Sequence, residues 1–165
     1  IPLLISIAIF GSNDMFVAAL PLLFGTLALY KFHKYPSKIF PGDSGTLLIG
    51  SMYGAIAIAG SSEVIGVISL LPAVMNSFLF LASVKKIVEH RQVKARPTVL
   101  MDDYKLAASK DRDAPTTLLR LILARGPMSE KQIVGQVFKL GIFSSILAVI
   151  SIIIQYYFIT GLIPK

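Results

Sequence analysis

The 165-residue chain contains no cysteine, so neither a disulfide framework nor a thiolate metal site is available to it. Charge is scarce as well: Asp, Glu, Lys and Arg make up 15% of the residues against 55% hydrophobic, and the mean hydropathy is +0.74. An ordinary soluble domain does not carry that balance. Acid is scarcest, with 9 Asp and Glu against 16 Lys and Arg and a formal net charge of +7. No internal repeat or low-complexity tract is evident. The apolar start, Ile1 to Phe10, lacks the charged lead and small-residue cleavage site of a signal peptide.

What is present is apolar sequence in blocks, most of them near the ~20 residues a helix needs to cross a bilayer. The expected fold class is an all-α integral membrane protein, a multi-span helical bundle. Spans are expected at about 15–30, 46–60, 63–84 and 132–160, with loops at 31–45 and 85–131. Residues 1–10 are too short to span and read as the end of a helix that begins upstream, which makes the chain a piece of a longer protein. Of the 16 basic residues, 3 lie in 31–38 and 12 in 85–139. A basic chain can signal nucleic acid, but positive charge gathered between apolar spans signals a cytosolic face instead. Both large loops are therefore expected in the cytosol, with Asp14 and Glu63 at outer turns and no nucleic-acid partner.

Turn and cap signals subdivide the chain further. Gly11-Ser12-Asn13-Asp14 is a compact turn with capping residues, and Ser61-Ser62-Glu63 is another. Gly50, Gly54, Ala55, Ala57 and Ala59 give the 46–60 span a small-residue surface that lets helices approach closely in lipid. Asn76, inside a span, is expensive unless paired and is expected to join helices. In the long loop, residues 96–100 and 104–106 flank the acidic turn 101–103 and predict a small β-hairpin. Thr116–Ala124 predicts an amphipathic helix at the membrane interface, with Arg120 and Arg125 reaching lipid headgroups. Ser129-Glu130-Lys131-Gln132 is a capping box for the last span.

Three features carry chemistry. Asp43, in Phe40-Pro41-Gly42-Asp43-Ser44-Gly45, sits where a basic, Pro/Gly-punctuated loop opens into an apolar helix. Alone, such a carboxylate is more often a helix cap than a metal ligand. The surrounding cations Lys31, Lys34, Lys38, Arg91, Lys94 and Arg96 suit a phosphate-bearing substrate with a divalent cation, because Mg²⁺ typically takes one or two carboxylates plus phosphates. The second feature is His90-Arg91-Gln92-Val93-Lys94-Ala95-Arg96-Pro97, either a lipid-contacting loop or a clamp in which Arg96 offers a bidentate fork and Lys94 a point charge. His90 is a general base, a phosphate donor or simply a solvated side chain. Phe40 is the third, a ring in a polar loop that either anchors in the interface or stacks on a nucleobase. His33 reads as interfacial.

The stretch YPSKIFPGDSGTLLIG resembles the aspartate loop of the polyprenyl-phosphate N-acetylhexosamine-1-phosphate transferases, a membrane superfamily. LPAVMNSFLFL, HRQVKARP and TLLRLILARGPMSEKQIV, in that order, look like its UDP-GlcNAc:dolichyl-phosphate GlcNAc-1-phosphate transferase branch. Where that branch carries Arg-His-Arg before the proline, this chain has Lys94-Ala95-Arg96. The resemblance implies the C-terminal half of an enzyme that moves GlcNAc-1-phosphate from UDP-GlcNAc to a polyprenyl or dolichyl phosphate with Mg²⁺, Mn²⁺ being an acceptable substitute. It implies that Asp43 is the catalytic metal ligand, that Phe40 and the adjoining Gly42 meet the nucleotide, and that Arg96 and Lys94, with Arg91 and His90, meet the donor diphosphate. A homodimer is compatible with this reading. The compact cytosolic loop favours an archaeal plasma membrane, the endoplasmic reticulum being the eukaryotic counterpart.

Two alternatives remain open. A bacterial-type transferase for cell-wall or surface-polysaccharide precursors shares the aspartate loop, although RGPMSEK argues against it. A non-catalytic transporter or scaffold would use the same basic loops to bind anionic lipid, and would tolerate loss of Asp43.

Overall fold

The computed structural model describes residues 1–84 and 95–161. Helices dominate: α1 Pro2–Phe10, α2 Asn13–His33, α3 Gly42–Ala59, α4 Glu63–Ser69, α5 Leu71–Val84, α6 Leu118–Leu123 and α7 Glu130–Thr160. Strands β1 Thr98–Leu100 and β2 Leu106–Ala108 form one antiparallel hairpin. α2 and α7 are long and apolar enough to cross a membrane, and α4 with α5 would add a third crossing if the two make one broken span. α3 is not among them, because Gly42, Asp43, Ser44 and Gly45 dilute its hydropathy. Only 6% of the apolar window of α2 and 17% of that of α7 is buried within the protein. Helices apolar on all sides yet uncovered by protein are suited to lipid.

The chain divides into two compact units, residues 1–69 with 143–165, and residues 70–142. In the first, Leu3, Ile7, Ala19, Ile56 and Ala57 form the core where α1, α2 and α3 meet, with Met15, Phe16, Leu22 and Tyr53 packed against it. A second cluster joins Ile65 to Ala148 and Ile152. Packing is tight here: a Cβ added at Gly60 would lie 2.7 Å from Cγ1 of the Ile7 side chain on α1. Polar groups inside the unit are paired. The Ser6 and Ser62 hydroxyls share a buried 2.8 Å hydrogen bond, Tyr53 donates to the Gly66 carbonyl at 3.0 Å, and Ser144 donates to the Ile68 carbonyl. Unpaired, each would be costly away from water.

The second unit contains α5, the hairpin, α6 and the start of α7. The hairpin pairs Thr98 with Ala108, Val99 with Ala107 and Leu100 with Leu106. Its second strand begins two residues later than the pattern predicts, because the turn takes residues 101–105. Met101 N–H donates to the Lys105 carbonyl at 2.8 Å, and Tyr104 takes the left-handed φ of 57°. Leu106 also exchanges two backbone hydrogen bonds with Met128, at 2.9 and 3.0 Å, tying the hairpin to the segment before α7. Half of the capping box forms: Gln132 Oε1 accepts from the Ser129 N–H at 2.9 Å, and the Ser129 hydroxyl donates to the same oxygen at 3.1 Å.

Three boundaries differ from the sequence expectation. The apolar run 63–84 is two helices separated at Leu70, ahead of Pro72, whose ring and missing N–H disfavour a continuous helix. α3 begins at Gly42 rather than at 46, so Asp43 lies within its first turn. α6 is six residues long and its Arg120 does not extend toward headgroups; it turns back onto the carbonyls of Ser109, Asp111 and Ala114.

Candidate functional site

The end of α2 and the start of α3 build the junction that carries Asp43. After His33 the chain runs through an irregular, exposed loop to Pro41, which occupies the N-cap position of α3. Gly42 follows with φ +63°, a conformation that a residue with a Cβ adopts only at a cost. Gly45 serves by its size, since a Cβ there would lie 2.8 Å from the Pro41 ring. The Thr46 hydroxyl donates back to the Gly42 and Asp43 carbonyls at 3.0 and 3.1 Å.

Asp43 is exposed, and its carboxylate has no hydrogen-bond or ion-pair partner among the described residues. The cap reading drawn from motif logic therefore fails in its specific form: no side-chain cap bond closes the first turn of α3. What remains is a carboxylate with no described counter-charge in contact with it, beside the free N–H groups that every helix start presents. Among the described residues no group of three or more His, Cys, Asp or Glu side chains stands ready for a metal. One carboxylate fits a cation that brings phosphate oxygens and water as its other ligands.

Phe40, three residues before Asp43, is 80% exposed. Its only described ring contact is edge-on with His33, the centroids 6.1 Å apart and the planes at 82°. His33 had read as merely interfacial, yet it braces the loop. Its Nδ1 lies 3.0 Å from the Ile39 carbonyl, which also accepts from the Ser37 hydroxyl at 2.9 Å, and the Lys38 N–H donates to the Phe32 carbonyl at 2.9 Å. The signal for this role is only the position of a histidine at a helix end six residues before the carbonyl it meets. Pattern reasoning has no means of ranking such a pair.

Asp43, Gly42 and Phe40 thus share one junction in the first unit. Arg96 belongs to the second unit, exposed at the base of the hairpin, where the Ser109 N–H donates to the carbonyl of the following Pro97 at 3.0 Å. His90, Arg91 and Lys94 lie outside the described residues.

Residues 1–61, which include the whole of this junction, match the glycosyl transferase family 4. This part of the chain belongs to the family. A provisionally named glycosyltransferase of Methanocaldococcus jannaschii is 34% identical over 137 residues, 82% of this chain and 43% of the relative. A Saccharolobus solfataricus protein, provisionally named UDP-N-acetylglucosamine–dolichyl-phosphate N-acetylglucosaminephosphotransferase, is 33% identical over 137 residues, 83% of this chain and 38% of the relative. The Dictyostelium discoideum protein of that name is 27% identical over 126 residues, 71% of this chain and 28% of the relative. The chain spans less than half the length of each of these relatives. No solved structure matches it.

Proposed function

We propose that this chain is part of a membrane enzyme that transfers N-acetylglucosamine-1-phosphate from UDP-GlcNAc to a polyprenyl (dolichyl) phosphate. The observation that carries the reading is the Asp43 carboxylate at the head of α3, exposed and unpaired among the described residues, within a segment that matches the family. The names of the Saccharolobus and Dictyostelium relatives supply the donor and acceptor.

In this reaction an oxygen of the acceptor phosphate attacks the phosphorus that bears the sugar. A new P–O bond forms, the bond to the UMP oxygen breaks, and UMP leaves with the electron pair. Phosphoryl transfer of this kind depends on positioning and on neutralising charge. A divalent cation, Mg²⁺ or Mn²⁺, supplies part of that neutralisation when bound, and Asp43 would be its ligand from this chain. Phe40, exposed and stiffened by the His33 brace, offers a ring face to the uracil. Gly42 leaves room beside it, since among the described residues nothing outside its immediate chain neighbours and its own helix backbone lies within 4 Å of where its Cβ would be. Arg96 would bind the donor diphosphate through its fork, and His90, Arg91 and Lys94 would add to the same charge. The excess of Lys and Arg in the two loops supports a site on the cytosolic face, of an archaeal plasma membrane or of the endoplasmic reticulum in a eukaryote.

The test uses the full-length protein in membranes, given UDP-GlcNAc, polyprenyl phosphate and Mg²⁺, with UMP release followed for wild type and Asp43→Asn. Metal-dependent release that falls by about a hundredfold or more in the inserted variant is the expected result. Equal release from both would sink the role of Asp43. No release from either, with any UDP-sugar, would leave the lipid-binding scaffold.

A further inference from the structure

Arg120 is the most heavily bonded cation among the described residues, and it bonds to no acid. One of its terminal nitrogens donates to the Ala114 carbonyl, and the other donates to the carbonyls of Ser109 at 3.1 Å and Asp111 at 2.7 Å. Three backbone oxygens of one loop thus converge on a single guanidinium. Only a planar, multi-donor fork satisfies such a set at once; a lysine ammonium is a point charge on a flexible stem. Without it, three carbonyl dipoles would face each other beside buried Ala114 and Pro115, which is unfavourable.

The clamp is anchored on one side and linked to a candidate ligand on the other. Asn76 and Ser83 lie two turns apart on α5, where Asn76 Oδ1 accepts from the Leu118 N–H at 2.9 Å and Ser83 Oγ from the Thr116 N–H at 2.9 Å. Thr117 Oγ1 accepts from the backbone N–H of Arg120 itself at 3.2 Å. The start of α6 is therefore seated on an apolar helix by two side chains and closed by its own N-cap, Thr117. From Arg120 the linkage runs to the Ser109 carbonyl, and the Ser109 N–H donates to the Pro97 carbonyl, one residue beyond Arg96.

We propose that Arg120 is a positioning residue for Arg96: by holding the 109–114 loop it fixes the hairpin base from which Arg96 reaches the donor diphosphate. This rests on the transferase reading above. Arg120 touches no substrate, so its loss acts on donor binding through Arg96.

The experiment is a double-mutant cycle on the full-length protein in membranes, with Arg96→Gln, Arg120→Gln, the pair together, and Arg120→Lys. UMP release is read as KM for UDP-GlcNAc and for polyprenyl phosphate. Arg120→Gln is expected to raise the KM for UDP-GlcNAc about tenfold, the scale of one charge-assisted hydrogen bond, and to leave that for the lipid unchanged. The double variant should be no worse than Arg96→Gln alone, because the two residues act as one. Arg120→Lys should fall between wild type and Arg120→Gln, and it decides the matter if Arg120→Gln does not accumulate as folded protein. Multiplicative losses in the double variant, or equal losses for both substrates, would reduce Arg120 to a stabilising residue and overturn the proposal. Failure of the wild type to release UMP would instead overturn the transferase reading. A normal Arg96→Gln variant would remove the role of Arg96, and that of Arg120 with it.

Discussion

Asp43 and Phe40 are exposed groups that the protein does little to satisfy, so the roles proposed for them can be tested with little effect on stability. Phe40 is 80% exposed, so replacing it by Ala should change the melting temperature very little, within the ~0.5 kcal/mol typical of surface sites. The same change should raise the KM for UDP-GlcNAc about tenfold if the ring stacks on the base, by analogy with base–aromatic stacking elsewhere. A KM equal to wild type would assign the ring to the membrane interface. Gly42 behaves in the opposite way. Gly42→Ala forces a Cβ into a φ of +63° and should cost about 1–2 kcal/mol, read as a lowered melting temperature of the full-length protein. An unchanged melting temperature would mean that the junction relaxes to another conformation.

At the scale of elements, the hairpin and α6 are each closed by a few polar contacts rather than by a core. The Lys105 ammonium lies 2.6 Å from Asp103 across the turn, and this hydrogen-bonded pairing holds the Asp103 carboxyl below its usual range. A depressed carboxylate stabilises the fold at pH above its ordinary value, and the gain is lost as pH falls through the lowered one. Both groups are exposed, so the effect is local. Protection factors for the Lys105 and Met101 amides should therefore hold in mild acid and drop only as pH falls below the ordinary carboxylate range, and Asp103→Asn should already show the acid value at neutral pH. The seat of α6 is firmer. Asn76→Ala strands the Leu118 N–H and should cost about 1–3 kcal/mol, measured by thermal unfolding.

For the whole molecule, the open question is which side of a membrane each loop faces, and the lack of cysteine makes it directly measurable. Lys38, Glu63 and Lys110 are exposed in the structure. Single substitutions of each by cysteine in the full-length protein should report topology through a membrane-impermeant thiol reagent, provided any cysteines elsewhere in it are first removed. Positions 38 and 110 should label from the cytosolic side and position 63 from the other. Labelling of position 38 from outside would reverse the orientation read from the basic loops and remove the cytosolic donor from reach of Asp43.

Composition and periodicity made the helical class, the positions of α2 and α7, the hairpin, the Ser129–Gln132 pairing before α7 and the loop-to-helix junction at Asp43 legible, because each depends on residues near one another in the chain. Hydropathy counts and cap motifs are local quantities, and the amphipathic or apolar character of a segment is the same wherever it ends up. The break at Leu70 was half legible, since Pro72 marks it but membrane helices often accommodate a proline. Pairings across long separations were not legible: Ser6 with Ser62, Ser144 with Ile68, Asn76 with Leu118, Ser83 with Thr116. A serine or asparagine in an apolar run announces that it needs a partner without naming it. Arg120 was misread for the same reason. Its position on an amphipathic segment points to lipid headgroups, and only the folded loop reveals three carbonyls at hand that a guanidinium satisfies better than water does.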